Sequence, residues 1–523
     1  MKYAAIRRFR EIREHKKAVK VYEPSVTKMN DCIFFLILED IERKLVVLCP
    51  TGKEKPFLEF VSEQTGRFES EGRGFTYMVC SCDHQNASAL RKVFTFTSPK
   101  PLGLAPAIGM GDRIGLATPG HIRAAKDLQV SPVLAQQSIR EMNRTLRTPT
   151  EVLDDVSWAV FQEGYQQGFA ADADHLKTLD DIDVTFGAGF TMYTIDPSDY
   201  VDNKADTYNH KALHEKFKEL PWEELRCTQK DLFDIYLRRE ANTAFARQGQ
   251  MIDFSEDSLL RAAVKYSAAI AHTVKMHSHL KELFGEEKFD LEMSVDETET
   301  PTSPQEHLFI VSELERLGVR ISGLALRFVG RFEKAIDYIG DLCEFGESLR
   351  KHVLIAKLCG PYKLSIHSGS DKFSIYPIAG RLASDMIHLK TAGTSYLEAL
   401  RIVARHDPAL FREIVRYSIR SFEKDRRSYH VSTNLSLVPD PDEVPDKSLE
   451  KVFLNNNNEK QLLHIAYGSI LTAKRSNEKW LFRERIRRTL VENEEEHYET
   501  VAEHMRRHME MIWGSRKGNK PLA

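Results

Sequence analysis

The chain has 523 residues, 42% of them hydrophobic and 29% charged, which is ordinary for a large folded protein. Its formal net charge of -3 gives no overall attraction to nucleic acids or anionic membranes. No stretch approaches the roughly 20 apolar residues of a membrane helix, and no signal-like segment follows the N-terminus. The seven cysteines are scattered and odd in number, so we expect reduced thiols in a cytoplasmic enzyme that acts on a small molecule.

Residues 1–105 are predicted to form a small α+β domain. A basic amphipathic stretch, residues 1–22, comes first, and short β-rich runs separated by turn residues follow it. These runs are Cys32–Glu39, Lys44–Cys49, Thr76–Cys82 and Lys92–Thr97. The prolines and glycine between Pro99 and Pro106 then indicate a linker.

Residues 106–400 alternate short apolar runs with longer amphipathic ones, which is typical of repeated β-α units. Eight candidate strands predict an α/β fold, a (β/α)8 TIM barrel, with catalytic residues at the carboxyl ends of its strands. The candidates are Arg113–Thr118, Pro132–Ser138, Phe169–His175, Phe190–Asp196, Phe289–Val295, Gly323–Val329, Tyr362–His367 and Met386–Lys390. A helical insertion, residues 200–286 with helical periodicity in Lys230–Arg247, offers a cap for the barrel mouth. Residues 401–523 are predicted to be a peripheral helical extension.

Two of the predicted strands end in a histidine. Asp174 and His175 close one apolar run, and His367 closes another before a Gly/Ser turn. At a strand end, neighbouring side chains splay to opposite sides, so an imidazole can bind a divalent cation while the adjacent carboxylate acts as base. The sequence therefore predicts one shared metal site, with His175 and His367 as ligands and Asp174 as the catalytic base.

Five long segments carry a family resemblance: Gly111–His121, Ala171–Thr178, Ser294–Thr302, Arg327–Glu333 and His367–Phe373. They resemble the tagaturonate/fructuronate epimerase family of hexuronate catabolism, and the resemblance covers nearly the whole length from Gly109 onward. The order of the strand ends also resembles the barrel of class II fructose-bisphosphate aldolases. The resemblance implies an isomerase that interconverts D-tagaturonate and D-fructuronate with a divalent metal cation, for which zinc, manganese, iron, cobalt and nickel are all suitable.

The resemblance also implies roles for residues on the other strands. Where the aldolases have a metal-binding histidine on the sixth strand, this chain has none, and Glu333 is the nearest replacement. His388, on the eighth predicted strand, is the alternative third ligand or a substrate contact. The loop after the fifth strand contains Asp296, Glu297 and Glu299. Glu297 is predicted to exchange protons with the substrate, and Glu299 is the alternative.

The position of the inverted carbon explains why an aldolase-like site is needed. This carbon is β to both the ketone and the carboxylate, so simple enolisation cannot invert it. Retro-aldol cleavage, followed by re-addition to the other face of the aldehyde, can invert this carbon. Asp174 would remove the proton of the hydroxyl group on it. No Rossmann-like glycine fingerprint follows a strand, which disfavours transient oxidation by a nicotinamide.

The substrate carboxylate requires an anion site, and two loops are candidates. The backbone of Ser368, Gly369 and Ser370, with Lys372 beside it, is one potential nest of N–H groups. The segment Lys390–Thr394 is the other, because it leads into a predicted helix whose N-terminus favours anions. The sequence does not decide between them.

Two other functions stay open at this stage. The same residues would serve a class II aldolase or lyase that releases the cleaved fragments, or a non-catalytic sugar-acid-binding protein. The complete set of base, acid and metal ligands argues against the second. We expect no nucleic-acid or membrane partner, and we allow for a homo-oligomer. His504 and His508, four residues apart in a highly charged terminal helix, are expected to be solvated.

Overall fold

The computed structural model describes residues 2–14, 18–55, 59–126, 128, 130–237, 252–286, 288–429 and 431–514. Its strands are β1 (Val19–Val21), β2 (Thr27–Met29), β3 (Cys32–Glu39), β4 (Glu42–Pro50), β5 (Gln64–Ser70), β6 (Arg73–Ser81), β7 (Ala107–Gly109), β8 (Ser131–Ser138), β9 (Ala170–Leu176), β10 (Met192–Ile195), β11 (Asp290–Ser294), β12 (Gly323–Ala325), β13 (Lys363–Ile366) and β14 (Ile387–Lys390). Within the described ranges, no helix has the length and apolar character to span a membrane.

The helices follow the same order along the chain. They are α1 (Lys2–Glu14), α2 (His84–Val93), α3 (Thr118–Ala125), α4 (Ile139–Thr145), α5 (Pro149–Gln162), α6 (Leu179–Ala188), α7 (His210–Lys218), α8 (Gln229–Leu237), α9 (Glu256–Phe284), α10 (Pro304–Arg316), α11 (Leu342–Cys359), α12 (Tyr376–Ala383), α13 (Thr394–His406), α14 (Pro408–Asp425), α15 (Leu449–Leu454), α16 (Asn457–Ile465), α17 (Tyr467–Thr472), α18 (Arg483–Glu492) and α19 (Glu494–Trp513). The predicted helix Lys230–Arg247 coincides with α8 up to residue 237, and the rest of it lies outside the described residues.

The N-terminal sheet has the strand order β1-β3-β4-β6-β5, with β2 paired to β3, and all of its pairs are antiparallel. Both faces of β3 are apolar, because alternate side chains point to opposite sides. Phe34 packs on the side of α2 and α5, and Phe35 packs with Phe9 of α1. The predicted strand Lys92–Thr97 is wrong. Those residues end α2 and form a short 3-10 turn, because Asp83 caps an amide at the start of α2 and so begins a helix there.

The expectation of reduced cysteines is wrong for one pair. Cys32 and Cys49 form a disulfide between β3 and β4. The antiparallel register pairs their neighbours Ile33 and Leu48, which brings the two buried thiols face to face. Scattered positions in the sequence could not reveal this cross-strand contact. The other five cysteines are free.

The eight strands β7 to β14 form a closed parallel barrel, which confirms the predicted fold class. The last seven predicted strands overlap β8 to β14, but the first is wrong, because β7 lies at Ala107–Gly109. The segment Arg113–Thr118 instead forms bends that lead into α3, whose first residue is Thr118. Asp112 is the reason, since its carboxylate accepts hydrogen bonds from the backbone of Ile114, Gly115 and Ala117. Those N–H groups are therefore not available for a strand ladder.

The described part of the insertion, residues 200–237 and 252–286, lines neither of the two cavities at the barrel mouth, contrary to the expected cap. The long helix α9 packs against α6 and α10, so it occupies a place in the outer helical ring of the barrel. The mouth is covered by the C-terminal extension instead. Helices α13 to α18 share an apolar core with three residues of the barrel loops, Ile114, Leu116 and Ala335. The final helix, α19, packs against α3, α12 and α13 and thereby joins the first and last units of the barrel.

Candidate active site

Five polar side chains meet at the carboxyl ends of the barrel strands. Asp174 and His175 are near the end of β9, Asp296 follows β11, His367 follows β13, and Lys390 ends β14. All five line one narrow cavity at the barrel mouth. These strands lie far apart in the chain, but a closed parallel barrel brings their ends to one rim.

A local irregularity places Asp174 and His175 in the same cavity. His175 has φ +55°, a left-handed conformation that non-glycine residues rarely adopt. The pairing of β9 with β10 shifts register at the same point. In a regular strand, neighbouring side chains would face opposite sides, whereas this bulge turns both toward the mouth. Ser368, directly after His367, is also left-handed with φ +50°. Backbone strain of this kind concentrates at functional sites.

The two histidines face each other across Asp296. Their ring centroids are 5.0 Å apart, and Oδ1 of Asp296 lies 3.5 Å from Nε2 of His175 and 3.3 Å from Nδ1 of His367. A carboxylate also lies near the other ring nitrogen of each histidine. Oδ1 of Asp174 is 2.9 Å from Nδ1 of His175, and Glu292 Oε1 is 2.8 Å from Nε2 of His367. The Glu292–His367 contact is a hydrogen bond, and carboxylates that orient histidines in this way are common around metal ions.

Lys390 is buried among the acidic groups of the barrel interior. Its ammonium lies 2.8 Å from Asp172, 2.8 Å from Asp174 and 2.9 Å from Glu292. Burial alone would lower the pKa of Lys390, but these carboxylates outweigh it and hold the pKa well above its ordinary value. Burial raises the pKa of Asp172 to about 6, against the opposing charge of Lys390. For Asp174 the effect of burial is outweighed by His175 and Lys390, and its pKa lies well below the usual range.

The donor set fits a divalent cation. An ionised Glu292 can only accept a hydrogen bond, so Nε2 of His367 donates to it and the lone pair of Nδ1 faces Asp296. Adjacent ligands of one ion at about 2.1 Å are roughly 3 to 3.5 Å apart, as are the Asp296 and histidine atoms above. Asp174, His175 and His367 also present ligand atoms within 4.8 Å of one another. The surrounding carboxylates outnumber the single lysine, an excess of negative charge that a divalent cation would offset.

The two residues predicted as alternatives for the third ligand lie elsewhere. Oε2 of Glu333 accepts hydrogen bonds from the amide of Ser432 and the side chain of Gln461, both at 3.0 Å. Glu333 lines a cavity together with His367, but these bonds commit its Oε2 to the C-terminal extension. His388 lies deeper in the barrel, fully buried, with Nδ1 3.4 Å from Glu292. Burial lowers the pKa of His388 to about 4. Asp296 occupies the place between the histidines, although the sequence marked it only as one acid of its loop.

The first predicted anion site, Ser368–Ser370 with Lys372, is largely occupied by contacts within the protein. Lys372 is buried, and its ammonium donates to the main-chain carbonyls of Glu333, Ile336 and Ser370. Burial lowers the pKa of Lys372 to about 7. The amide of Gly369 donates to the carbonyl of Lys390. In this loop, the side chains of Ser368 and Ser370 line the narrow cavity.

A wider cavity of about 690 Å³ opens beside the candidate metal-binding group. Asp296, Glu297 and His367 line it on the barrel side, and Tyr429 and Ser432 line it on the side of the C-terminal extension. Glu297 thus reaches the site, and its carboxylate pairs with Arg140 at 3.3 Å. Glu299 also lines the cavity, so the choice between the two glutamates stays open. The extension predicted to be peripheral therefore forms part of the site.

The expectation that His504 and His508 are solvated is wrong. His508 is fully buried, and its Nε2 accepts the amide N–H of Asp371 at 3.0 Å while Nδ1 donates to the carbonyl of His504. His504 Nε2 lies 3.3 Å from Asp371, which also pairs with Lys460. Asp371, His504 and His508 are close enough to bind an ion. Both ring nitrogens of His508 are already hydrogen-bonded, however, and Lys460 balances the negative charge of Asp371. The contacts hold the loop that follows His367.

The fold and this site define a barrel enzyme with a candidate metal centre at its strand ends. The tagaturonate epimerase family model matches residues 22–512. A curated relative, the tagaturonate/fructuronate epimerase of Thermotoga maritima, is 44% identical over 500 residues, 95% of this chain and 98% of that protein. The native crystal structure of fructuronate-tagaturonate epimerase UxaE from Cohnella laeviribosi is also similar, with 37% identity and a TM-score of 0.86 over 98% of this chain and 99% of that one. A glycerol complex of the same Cohnella enzyme matches with 36% identity and a TM-score of 0.86 over 97% and 99% of the two chains. The chain belongs to the tagaturonate epimerase family, and it is an epimerase.

Proposed function

We propose that this epimerase interconverts D-tagaturonate and D-fructuronate by retro-aldol cleavage and re-addition, with a divalent metal ion as cofactor. The convergence of Asp174, His175, Asp296 and His367 at one rim carries the proposal. A bound metal ion would supply Lewis acidity that polarises the substrate ketone. The names of the relatives support the choice of substrate.

We infer that His175, Asp296 and His367 hold the metal ion. Asp296 is then the third ligand, the role predicted for Glu333. Of Asp296, Glu333 and His388, Asp296 is the residue whose carboxylate lies between the two histidine rings. Glu292 orients His367 by accepting a hydrogen bond from its Nε2, and Asp174 lies beside Nδ1 of His175. This arrangement leaves the wider cavity open for the substrate on the other side of the ligands.

Asp174 is the proposed base. Its Oδ2 accepts a hydrogen bond from Gln136 at 3.0 Å, and its Oδ1 contacts Lys390, so the carboxylate is fixed and ionised. It would remove the proton from the hydroxyl group of the inverted carbon as the carbon–carbon bond breaks, and return the proton after the aldehyde has turned. Glu297, on the same cavity wall as Arg140, stays the candidate for proton exchange with the other fragment.

The reaction is tested by adding D-tagaturonate to metal-loaded protein and following the stereochemistry by NMR. We expect D-fructuronate to appear, to stop appearing after chelation, and to return when a divalent ion is restored. An absence of D-fructuronate with every metal tested would overturn the proposal. A class II aldolase or lyase would instead yield free fragments in the same spectra.

The ligand set is tested by metal analysis of purified variants. His175→Ala, His367→Ala and Asp296→Asn should each lose bound metal and activity, since each removes one ligand. Glu333→Gln is the matched control, because a glutamine oxygen can still accept the hydrogen bonds of Ser432 and Gln461. Metal retained in Asp296→Asn and lost in Glu333→Gln would return the role to Glu333. The cytoplasmic location and self-association stay predictions.

A further inference from the structure

We infer that Lys334 and Arg327 bind the carboxylate of the substrate and retain the fragment that carries it; this inference rests on the proposed function. Retro-aldol cleavage at the inverted carbon leaves the ketone on one fragment and the carboxylate on the aldehyde fragment. The aldehyde must turn over before the bond re-forms, so an epimerase has to hold this fragment by a group remote from the reacting carbon. The carboxylate is that group, and a cation of the protein is its natural partner.

The lysines predicted for this role are already engaged. Lys372 donates to three main-chain carbonyls, and Lys390 is surrounded by carboxylates of the barrel interior. A further anion beside Lys390 would add to the negative charge of Asp172, Asp174 and Glu292. The substrate carboxylate therefore requires a different cation, one without an acidic partner.

Lys334 meets this requirement. Its ammonium donates to the hydroxyl group of Ser368, and no carboxylate in the described part of the chain lies within 4.0 Å of it. It lines both the wide cavity and the narrow cavity that reaches Asp174 and Lys390. Because Ser368 directly follows the proposed ligand His367, the ammonium of Lys334 lies beside the reacting centre.

Arg327 supplies a second unpaired donor in the same cavity. Its Nε is buried and has no hydrogen-bond partner, and no acidic group of the described residues pairs with its guanidinium. A buried donor without an acceptor is unfavourable, and a bound carboxylate would relieve that cost. Arg331, nearby on the same segment, differs in both respects, since its side chain is 64% exposed and lies 3.8 Å from Glu333.

The test compares a charged and a neutral substrate on the metal-loaded enzyme. D-tagatose has the same carbon skeleton as D-tagaturonate, with a hydroxymethyl group in place of the carboxylate. Lys334→Met and Arg327→Met should each raise KM for D-tagaturonate by about 10- to 100-fold, as expected for loss of a charged hydrogen bond. The KM for D-tagatose, or its inhibition constant where turnover is too slow, should change by less than about 3-fold.

Further variants separate binding from folding. Lys334→Arg and Arg327→Lys keep the charge but change the hydrogen-bond geometry, so each should recover part of the affinity for D-tagaturonate that the Met variant loses. Lys351→Met, on the exposed outer face of α11, is the matched control and should behave as the unmodified enzyme. NMR of the same reactions should also show more free aldehyde fragment from Lys334→Met than from the unmodified enzyme.

The outcomes distinguish this inference from the proposed function. If the unmodified enzyme epimerises D-tagaturonate and the Met variants keep its KM, the carboxylate binds elsewhere and only the inference fails. Equal losses on D-tagaturonate and D-tagatose would show a structural role and also overturn it. If the unmodified enzyme fails to epimerise, the proposed function fails, and calorimetric binding of D-tagaturonate to the same variants still tests the carboxylate site.

Discussion

Acid is expected to destabilise the fold partly through one buried histidine of the last helix, His508. Its two ring nitrogens bond to the amide of Asp371 and the carbonyl of His504, an arrangement that requires the neutral ring. Burial lowers the pKa of His508 to about 3, and the neighbouring His504 adds to this, while Asp371 opposes it. Lys460, paired with Asp371, also disfavours a charged ring.

The size of the effect follows from linkage. A histidine titrates near 6.5 in the unfolded chain, so the stability from a neutral His508 is complete above that pH and is lost as pH falls toward about 3. At about pH 5 the loss is roughly 2 kcal/mol, from about 1.5 pH units at about 1.36 kcal/mol each. His508→Phe cannot titrate, but it leaves the Asp371 amide without an acceptor, at a cost of about 1–3 kcal/mol.

Urea unfolding of the unmodified protein and His508→Phe, at about pH 7.5 and about pH 5, measures both terms. The variant should be less stable by about 1–3 kcal/mol at the higher pH and nearly equal at the lower one. His210→Phe, at an exposed position of α7, controls for replacing a histidine ring. If the unmodified protein and His508→Phe lose the same stability between the two pH values, burial does not keep His508 neutral and the reasoning is refuted.

Three other predictions concern the site. Asp174→Asn should lower kcat by about 10²- to 10⁴-fold in steady-state assays while metal analysis shows a full site; unchanged kcat would remove Asp174 as base. Substrate deuterated at the inverted carbon should keep its label in NMR spectra, because retro-aldol chemistry does not break that C–H bond, and washout into water would exclude this route. Gly111→Ala should lower Tm, because its new Cβ would lie 2.6 Å from the Gln136 carbonyl and 2.8 Å from Ala392. Gly187→Ala, with open space around it, is its control, and equal Tm values would contradict the steric argument.

Most barrel strands are predictable from apolar runs bounded by turn residues, since each is buried and continuous. Strand β7 is not, because it has only three residues after Pro106 and is too short to show a period. In its place, the apolar segment after Asp112 resembles a strand. A side-chain carboxylate that binds several amides turns the segment instead, and composition does not reveal such bonds.

The site was predictable in part for a similar reason. Asp174, His175 and His367 stand out because each directly ends a predicted strand, and the barrel brings strand ends together. The position of Asp296 depends on how its loop folds back between the rings of His175 and His367. The position of Glu333 depends on its contacts with the C-terminal extension. Such contacts join residues about a hundred positions apart, so local patterns carry no information about them.

The position of the last helix has a consequence for biosynthesis. Helix α19 lies between the helices that follow the first, seventh and eighth barrel strands, and its His508 holds the loop after His367. During synthesis, α19 emerges after every strand of the barrel. The nascent chain can pair its strands early, but the contact of His508 with the loop after His367 cannot form until α19 has emerged. A product cut short before α19 would therefore keep every barrel strand and lose the contact that His508 makes with this loop.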